Sequence, residues 1–251
     1  MDFTAFPPLA ALLDGAHALI TGLAGLLEPL AGSAAAAAAI VLVTLVVRAA
    51  LVPLGIRQVR AEIDRRRLAP QLAELQRRHK KNPELLQKKT LELYQKEGVS
   101  PLAGILPALV QLPFVSLLYG VAVSPTLNGR PNELLAESLG GAPLGDSLLG
   151  MIGAGAWPSL LVPVALLVVI GVTAWFTRAQ TLRMSTVPEN PATAGVLRVA
   201  AWLPFLSVVV SAFLPLAAVL YVTTSTVWTF AERTILRRVL PGGALRPAPQ
   251  G

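Results

Sequence analysis

Five apolar stretches dominate the sequence, at about 34 to 56, 101 to 123, 158 to 177, 197 to 213 and 215 to 231. They constrain the fold more than any motif. A helix needs about 20 residues to cross a hydrocarbon core near 30 Å, and only a helix or a closed barrel satisfies its backbone there. Each stretch therefore reads as a transmembrane helix. The last two span only 17 residues each, roughly 25 Å of helix. They nearly abut at Phe213, Leu214 and Pro215, which predicts a hairpin with a tight turn. The composition agrees: 54% of residues are hydrophobic and 14% charged, outside the range of soluble domains. There is no cysteine, which excludes a disulfide framework, thiol chemistry and a lipid-modified cysteine.

Orientation follows from the basic residues. Of the 21 Lys and Arg, twelve lie between Arg57 and Ser100, Arg178, Arg183 and Arg198 flank the link between the third and fourth stretches, and Arg233, Arg237, Arg238 and Arg246 follow the fifth. The positive-inside rule puts these three segments in the cytoplasm, with the N-terminus outside and the C-terminus inside. The loop at 124 to 157 has Arg130 as its single basic residue and carries Glu133, Glu137 and Asp146, as an outer loop should.

Between the stretches, residues 57 to 100 read as a cytoplasmic helical hairpin. Asn82, Pro83 and Glu84 form a helix start and Gly98 a stop, and Pro70 should bend or restart the first arm. Its charge is either a wet surface or a docking surface for acidic lipid, ribosomal RNA or a polar substrate segment. Residues 1 to 33 carry no Lys or Arg, so they lack the charged start of a signal peptide and are expected to be mature sequence. Leu9, Leu12, Leu13, Ala16, Leu19 and Ile20 recur at helical spacing, which fits a helix along the interface or a stub packed on the bundle. Residues 178 to 196 form a cytoplasmic loop and 232 to 251 a cytoplasmic tail.

Within the first stretch stands Arg48. It lies eight residues before the end of that stretch at 56, about 12 Å deep. An arginine there costs roughly 2.5 to 3.5 kcal/mol, whereas the eleven Ile, Val and Leu residues from Ile40 to Ile56 return roughly 3 to 7 kcal/mol. The helix still inserts. No Asp or Glu lies within any of the five stretches, and Glu232 stands at the edge of the last. Arg48 therefore faces water or a polar cavity, or else snorkels to headgroups or free carbonyls. Thr44 precedes it by one turn on the same face, and Gln111, Ser207, Ser211 and the run Thr223, Thr224, Ser225, Thr226 offer further polar lining. Each alone is equally a packing hydroxyl.

Chemistry finds little purchase. His17 and His79 are expected on opposite sides of the membrane, no serine has a base beside it, and Gly140 and Gly141 lack the context of a phosphate loop. The expectation is no enzyme, cofactor, metal site or specific DNA binding.

Three segments resemble the YidC family of membrane protein insertases. They are VLVTLVVRAALVP at Val41 to Pro53, SPLAGILPALVQLPFVSLLY at Ser100 to Tyr119, and PLAAVLYVTTSTVWTFAE at Pro215 to Glu232. Pro101, Gly104, Pro107, Gln111, Pro113 and Tyr119 fall at family positions in the second stretch. Arg48 matches the family's intramembrane arginine and Thr44 a neighbour implicated in substrate contact. The sequence departs from the pattern at Ser100, Ile105, Ala217, Val222, Thr226 and Glu232. The resemblance implies an all-α polytopic fold of the compact five-span form, with five transmembrane helices around a hydrophilic groove, a cytoplasmic hairpin and an N-terminal interfacial helix. It implies a groove lined by Arg48, Thr44, Gln111, Tyr221, Ser207 and Thr224. The implied partners are nascent membrane proteins, the Sec translocon, the ribosome and anionic lipids. Two other readings of the residues are an anion transporter or channel using Arg48, and a scaffold that docks ribosomes or Sec components through the basic hairpin.

Overall fold

The computed structural model describes residues 7–100, 116–117, 119–127, 130–184 and 199–240. Helix dominates. In chain order the elements are α1 Pro7–Ala31, a 3-10 turn Gly32–Ala34, α2 Ala35–Ala50, α3 Val52–Arg78 and α4 Pro83–Lys96. After helical residues at 119–123 come two small antiparallel pairs, β1 Thr126–Leu127 with β2 Arg130–Pro131 and β3 Ser138–Leu139 with β4 Ala142–Pro143. Then follow α5 Leu148–Gly153, a 3-10 turn Trp157–Leu160, α6 Leu161–Met184, α7 Leu203–Ser211 and α8 Leu216–Val239. The strands are turns of a loop, and the fold is all-α.

Among the described residues, two helical stretches are long and apolar enough to cross a membrane, Leu13–Ala50 and Trp157–Arg183. The first is not one rod. Gly32 has φ of +51°, a left-handed conformation that costs glycine little and that breaks the helix between α1 and α2. Of the two readings of the N-terminal stripe, packing is favoured. Leu13 and Ile20 are buried in the core and Ala16, Leu23, Ala24 and Leu27 pack against it, a helical i, i+3, i+4, i+7 face. Leu19, Leu26 and Leu30 remain exposed.

The chain divides into two compact units. One comprises residues 1–49 and 113–230. Its core is built of small and branched side chains: Ala36, Ala37, Ala39, Ile40 and Val43 of α2, Val121 and Ala122, Ile170 of α6, and Leu216 to Tyr221 of α8. Small residues let helix backbones approach, which replaces the hydrophobic drive that lipid does not supply. The loop between 124 and 157 is part of this core through Leu134, Ala142, Leu144 and Met151. Gly140 and Gly141, at φ of +59° and +82°, make the β3–β4 turn, because two consecutive positive φ angles define a tight hairpin turn.

That loop also caps α8. The first amides of a helix have no partner within it. Here Leu216 N donates to Asp146 O at 2.9 Å and Ala217 N to Leu144 O at 2.9 Å. Ser147 bridges Pro215, and Leu149 N donates to Ala212 O at 3.3 Å. The tight turn expected after Phe213 is thus held by a loop far away in sequence. The helices around it differ in length from the apolar stretches. α7 has 9 residues after a turn at Ala201 and Trp202, with Pro204 in its first turn, whereas α8 has 24 and runs well past 231.

The second unit comprises residues 50–112 and 231–251. Asn82 caps α4 by accepting from Leu85 N at 3.0 Å, Pro83 occupies the first turn, and Gly98 has φ of +63°, as expected of the hairpin. Pro70 does not restart the first arm, because α3 runs through it as one helix of 27 residues. A proline costs one backbone bond and some crowding, which a long helix with packed neighbours absorbs. The hairpin's charges are partly paired. Arg67 meets Glu97 at 3.2 Å across the two arms. On the exposed surface, the hydrogen bond from Arg78 and then its charge hold the Glu74 carboxyl below the ordinary 4.5, and Lys89 does the same for Glu92. Both carboxyls have depressed values when folded, so their small contribution is present at neutral pH and fades as pH falls below the ordinary value.

Two contacts in this unit join residues about 175 positions apart. Arg237 Nη2 donates to Glu62 Oε1 at 2.9 Å and Oε2 at 3.0 Å, while Arg66 also pairs with Glu62. At Gly55, a Cβ would overlap the carboxylate of Glu232. The glycine is there for close approach. The atoms a Cβ would meet are the end of the flexible Glu232 side chain, and Ala is the better helix former. Gly55→Ala is therefore expected to destabilise the protein by about 1 kcal/mol or less, and Glu232→Ala in that background to recover the loss. Thermal unfolding of both single variants and the double variant measures the coupling. Strict additivity would show that the two residues do not meet.

Candidate functional site

The first stretch breaks earlier than hydropathy suggests. α2 ends at Ala50, Leu51 makes a turn, and Pro53 sits in the first turn of α3. Arg48 consequently occupies the last turn of α2. The partial negative charge at a helix C-terminus favours a cation by about 0.3 to 1 kcal/mol, an offset that hydropathy alone does not reveal. Arg48 is half-buried. Among the described residues it has no hydrogen bond or ion pair.

One turn earlier, Thr44 is 1% exposed and Tyr221 of α8 is 5% exposed. Together with Ile20, Ile40, Val121, Ala122, Leu134, Leu135 and Ala217 they wall a cavity of about 10 Å³. Such a space holds one water molecule at most, and Thr44 and Tyr221 are the polar side chains among its lining residues. The Thr44 hydroxyl donates to Ile40 O at 2.7 Å, so it is satisfied within its own helix and retains only acceptor capacity.

The other expected lining residues separate. Thr224 donates to Leu220 O at 2.8 Å and Ser207 to Pro204 O at 2.6 Å, both half-buried, and neither borders the cavity. Thr223, Thr226 and Thr229 likewise donate to carbonyls four residues back. Ser211 and Ser225 are buried hydroxyls without a partner among the described residues. Gln111 lies outside the described residues. The structure thus brings Thr44 and Tyr221 together with Arg48 one turn away.

Sequence reasoning passed over the aromatic setting of Arg178. Its guanidinium carbon lies 4.3 Å from the Trp202 ring centre and 5.9 Å from that of Trp175. The Trp175 and Arg178 spacing of three was the available signal, since i, i+3 residues share a helix face. No cluster of His, Asp or Glu suited to a metal ion exists among the described residues.

A helical core of small residues, apolar helices of spanning length and a half-buried arginine define an all-α membrane protein. The chain belongs to the 60Kd inner membrane protein family, whose sequence model matches residues 27–242. Relatives bearing the name "Membrane protein insertase YidC" include that of Clostridium perfringens, 42% identical over 82 residues, 33% of this chain and 34% of the relative. That of Mycobacterium leprae is 30% identical over 219 aligned positions, 74% of this chain and 58% of the relative. That of Alcanivorax borkumensis is 26% identical over 207, 82% of this chain and 31% of the relative. The chain spans roughly a third to three fifths of the length of these relatives.

Proposed function

We propose that this protein is a membrane protein insertase, which helps newly made membrane proteins enter and fold in the bilayer, alone or beside the Sec translocon. The observation that carries this reading is Arg48, a half-buried cation with no partner among the described residues, on a chain of this family. Its counter-charge is supplied by the substrate. Five spans enclose a hydrophilic groove open to the cytoplasm and lipid, with the N-terminus outside, the hairpin and C-terminus inside, and the hairpin available to the ribosome or anionic lipid.

A substrate's polar leader rests in the groove without complete dehydration. Two opposite unit charges 4 Å apart attract by about 4 kcal/mol at an effective dielectric near 20, and by less in a wet groove. The pull is useful and reversible. A membrane potential worth roughly 2.3 kcal/mol per charge per 100 mV then draws acidic segments outward, and the substrate's apolar helix partitions into lipid. No catalytic step, metal or cofactor enters this reading. Local thinning of the bilayer comes from the short apolar length of the last two stretches, since α8 itself has 24 residues.

Site-specific photocrosslinking to nascent chains tests the site. Probes at Ser207 and Thr224, which are half-buried, are expected to label substrate readily. Probes at Thr44 and Tyr221 are expected to do so only while a substrate is being inserted, because their cavity must open first. A probe at Gln111 extends the test to the second stretch. Nascent chains that crosslink equally well to exposed α6 positions and to these five would remove the groove from the mechanism.

A further inference from the structure

Tryptophans stand near the two ends of the long apolar run that includes α6. Trp157 precedes it and Trp175 lies near its end, followed by Arg178. From Trp157 to Arg178 is 21 residues, about 31 Å at the helical rise, close to the thickness of a hydrocarbon core. Interfacial tryptophans mark headgroup level. If Trp157 stands at one interface, Arg178 stands at the other.

At that level the guanidinium is held in an unusual way for a membrane-flanking arginine. It lies 4.3 Å from Trp202, which precedes α7, and 5.9 Å from Trp175. Its Nε is buried without an acceptor, and no carboxylate among the described residues pairs with it. The two indoles are themselves 56% and 53% exposed, and Val172, Phe176, Leu203 and Leu206 around them are exposed as well. An exposed apolar surface at headgroup depth faces acyl chains. A guanidinium stacked on indole keeps its charge and its fork of donors, and that fork matches the oxygens of a phosphate.

We propose that Arg178, Trp202 and Trp175 form a binding site for one anionic phospholipid of the cytoplasmic leaflet. Arg178 binds the phosphate and the exposed aromatic and aliphatic side chains bind the upper acyl chain. An anionic headgroup is selected over a zwitterionic one because no carboxylate among the described residues pairs with Arg178 or stands ready to receive a choline or ethanolamine cation. The site rests on α6 crossing the bilayer and is independent of insertase activity, so it survives if the insertase reading fails.

The test is native mass spectrometry of the full chain released from nanodiscs of phosphatidylcholine containing phosphatidylglycerol, with bound lipid counted during progressive delipidation. One phosphatidylglycerol is expected to be retained. Arg178→Ala should weaken retention at least tenfold, Trp202→Leu several-fold, and Arg178→Lys by an intermediate amount, while Arg183→Ala, which removes a charge from the same helix end, should leave it unchanged. Thermal unfolding run in parallel shows whether each variant is folded. The proposal is overturned if Arg178→Ala retains lipid as the parent does, if millimolar inorganic phosphate displaces the lipid completely, or if phosphatidylcholine is retained equally.

Discussion

Arg48→Ala is expected to reduce insertion of a single-span substrate with an acidic leader by about tenfold or more, while leaving the stability of the protein nearly unchanged. Stability is spared because the described structure gives Arg48 no hydrogen bond or ion pair to lose, and its removal abolishes a desolvation cost. Function is not spared because the arginine's work is done on the substrate. The full Coulomb figure of about 4 kcal/mol is an upper bound, and a wet groove reduces it. About 1.4 kcal/mol of it suffices for a tenfold effect. Arg48→Lys keeps the charge and loses the planar fork, so it should recover most insertion of flexible acidic leaders. A substrate whose leader carries Asn and Gln in place of Asp and Glu should be indifferent to both variants. Insertion is measured in proteoliposomes as protection of the translocated leader from protease, with and without a membrane potential. The coupling between Arg48 and the leader charges is the decisive quantity. If the neutral leader suffers as much as the acidic one, Arg48 acts on the shape of α2 and not on substrate charge.

Much of this site was legible because it is local. Thr44 and Arg48 share a face by spacing alone, and their place in an apolar run is visible in the residues around them. The cap at Asn82 and the left-handed Gly98 were legible for the same reason, since caps and stops are set by one or two side chains. The end of α2 was not. Hydropathy continues smoothly from Ala50 to Ile56, and only the missing amide of Pro53 marks the break at Leu51. Pro70 shows the opposite outcome, because the same residue type lies inside α3 and the helix continues. The difference lies in what surrounds each proline, which sequence does not display. Contacts between distant residues were invisible altogether. Glu62 and Arg237 each read as one more charge on a wet helix, and Gly55 as one more small residue. The polar run Thr223 to Thr226 was legible as composition but its hydrogen bonds were not: its threonine hydroxyls donate to their own helix, as that of Thr44 does.

The largest effect on stability is expected at Leu144, which no sequence pattern singles out. Its side chain is fully buried in the core shared by α1, α2 and α8. Its amide donates to Glu137 O at 2.8 Å, and its carbonyl accepts from Ala217 N at 2.9 Å. Leu144→Ala leaves both backbone bonds chemically possible and removes only packing, at a cost of about 2 to 5 kcal/mol depending on how far the site collapses. Leu144→Met conserves most of the volume and should cost less than about 1.5 kcal/mol. Leu149→Ala, at a residue 43% exposed on α5, should cost less than about 0.5 kcal/mol. Unfolding in nanodiscs, followed by tryptophan emission, orders the three. Equal losses for Leu144→Ala and Leu149→Ala would mean that the loop is a cover and not part of the core. The consequence for function follows from Ala217. This residue donates its amide hydrogen bond to the loop and lines the cavity beside Thr44 and Tyr221. A loop that is loosened at Leu144 therefore releases the first turn of α8 and the wall of the cavity together. In the photocrosslinking experiment, Leu144→Ala should make the Thr44 and Tyr221 probes reactive toward idle nascent chains as well as inserting ones, because the closed state is what the loop stabilises.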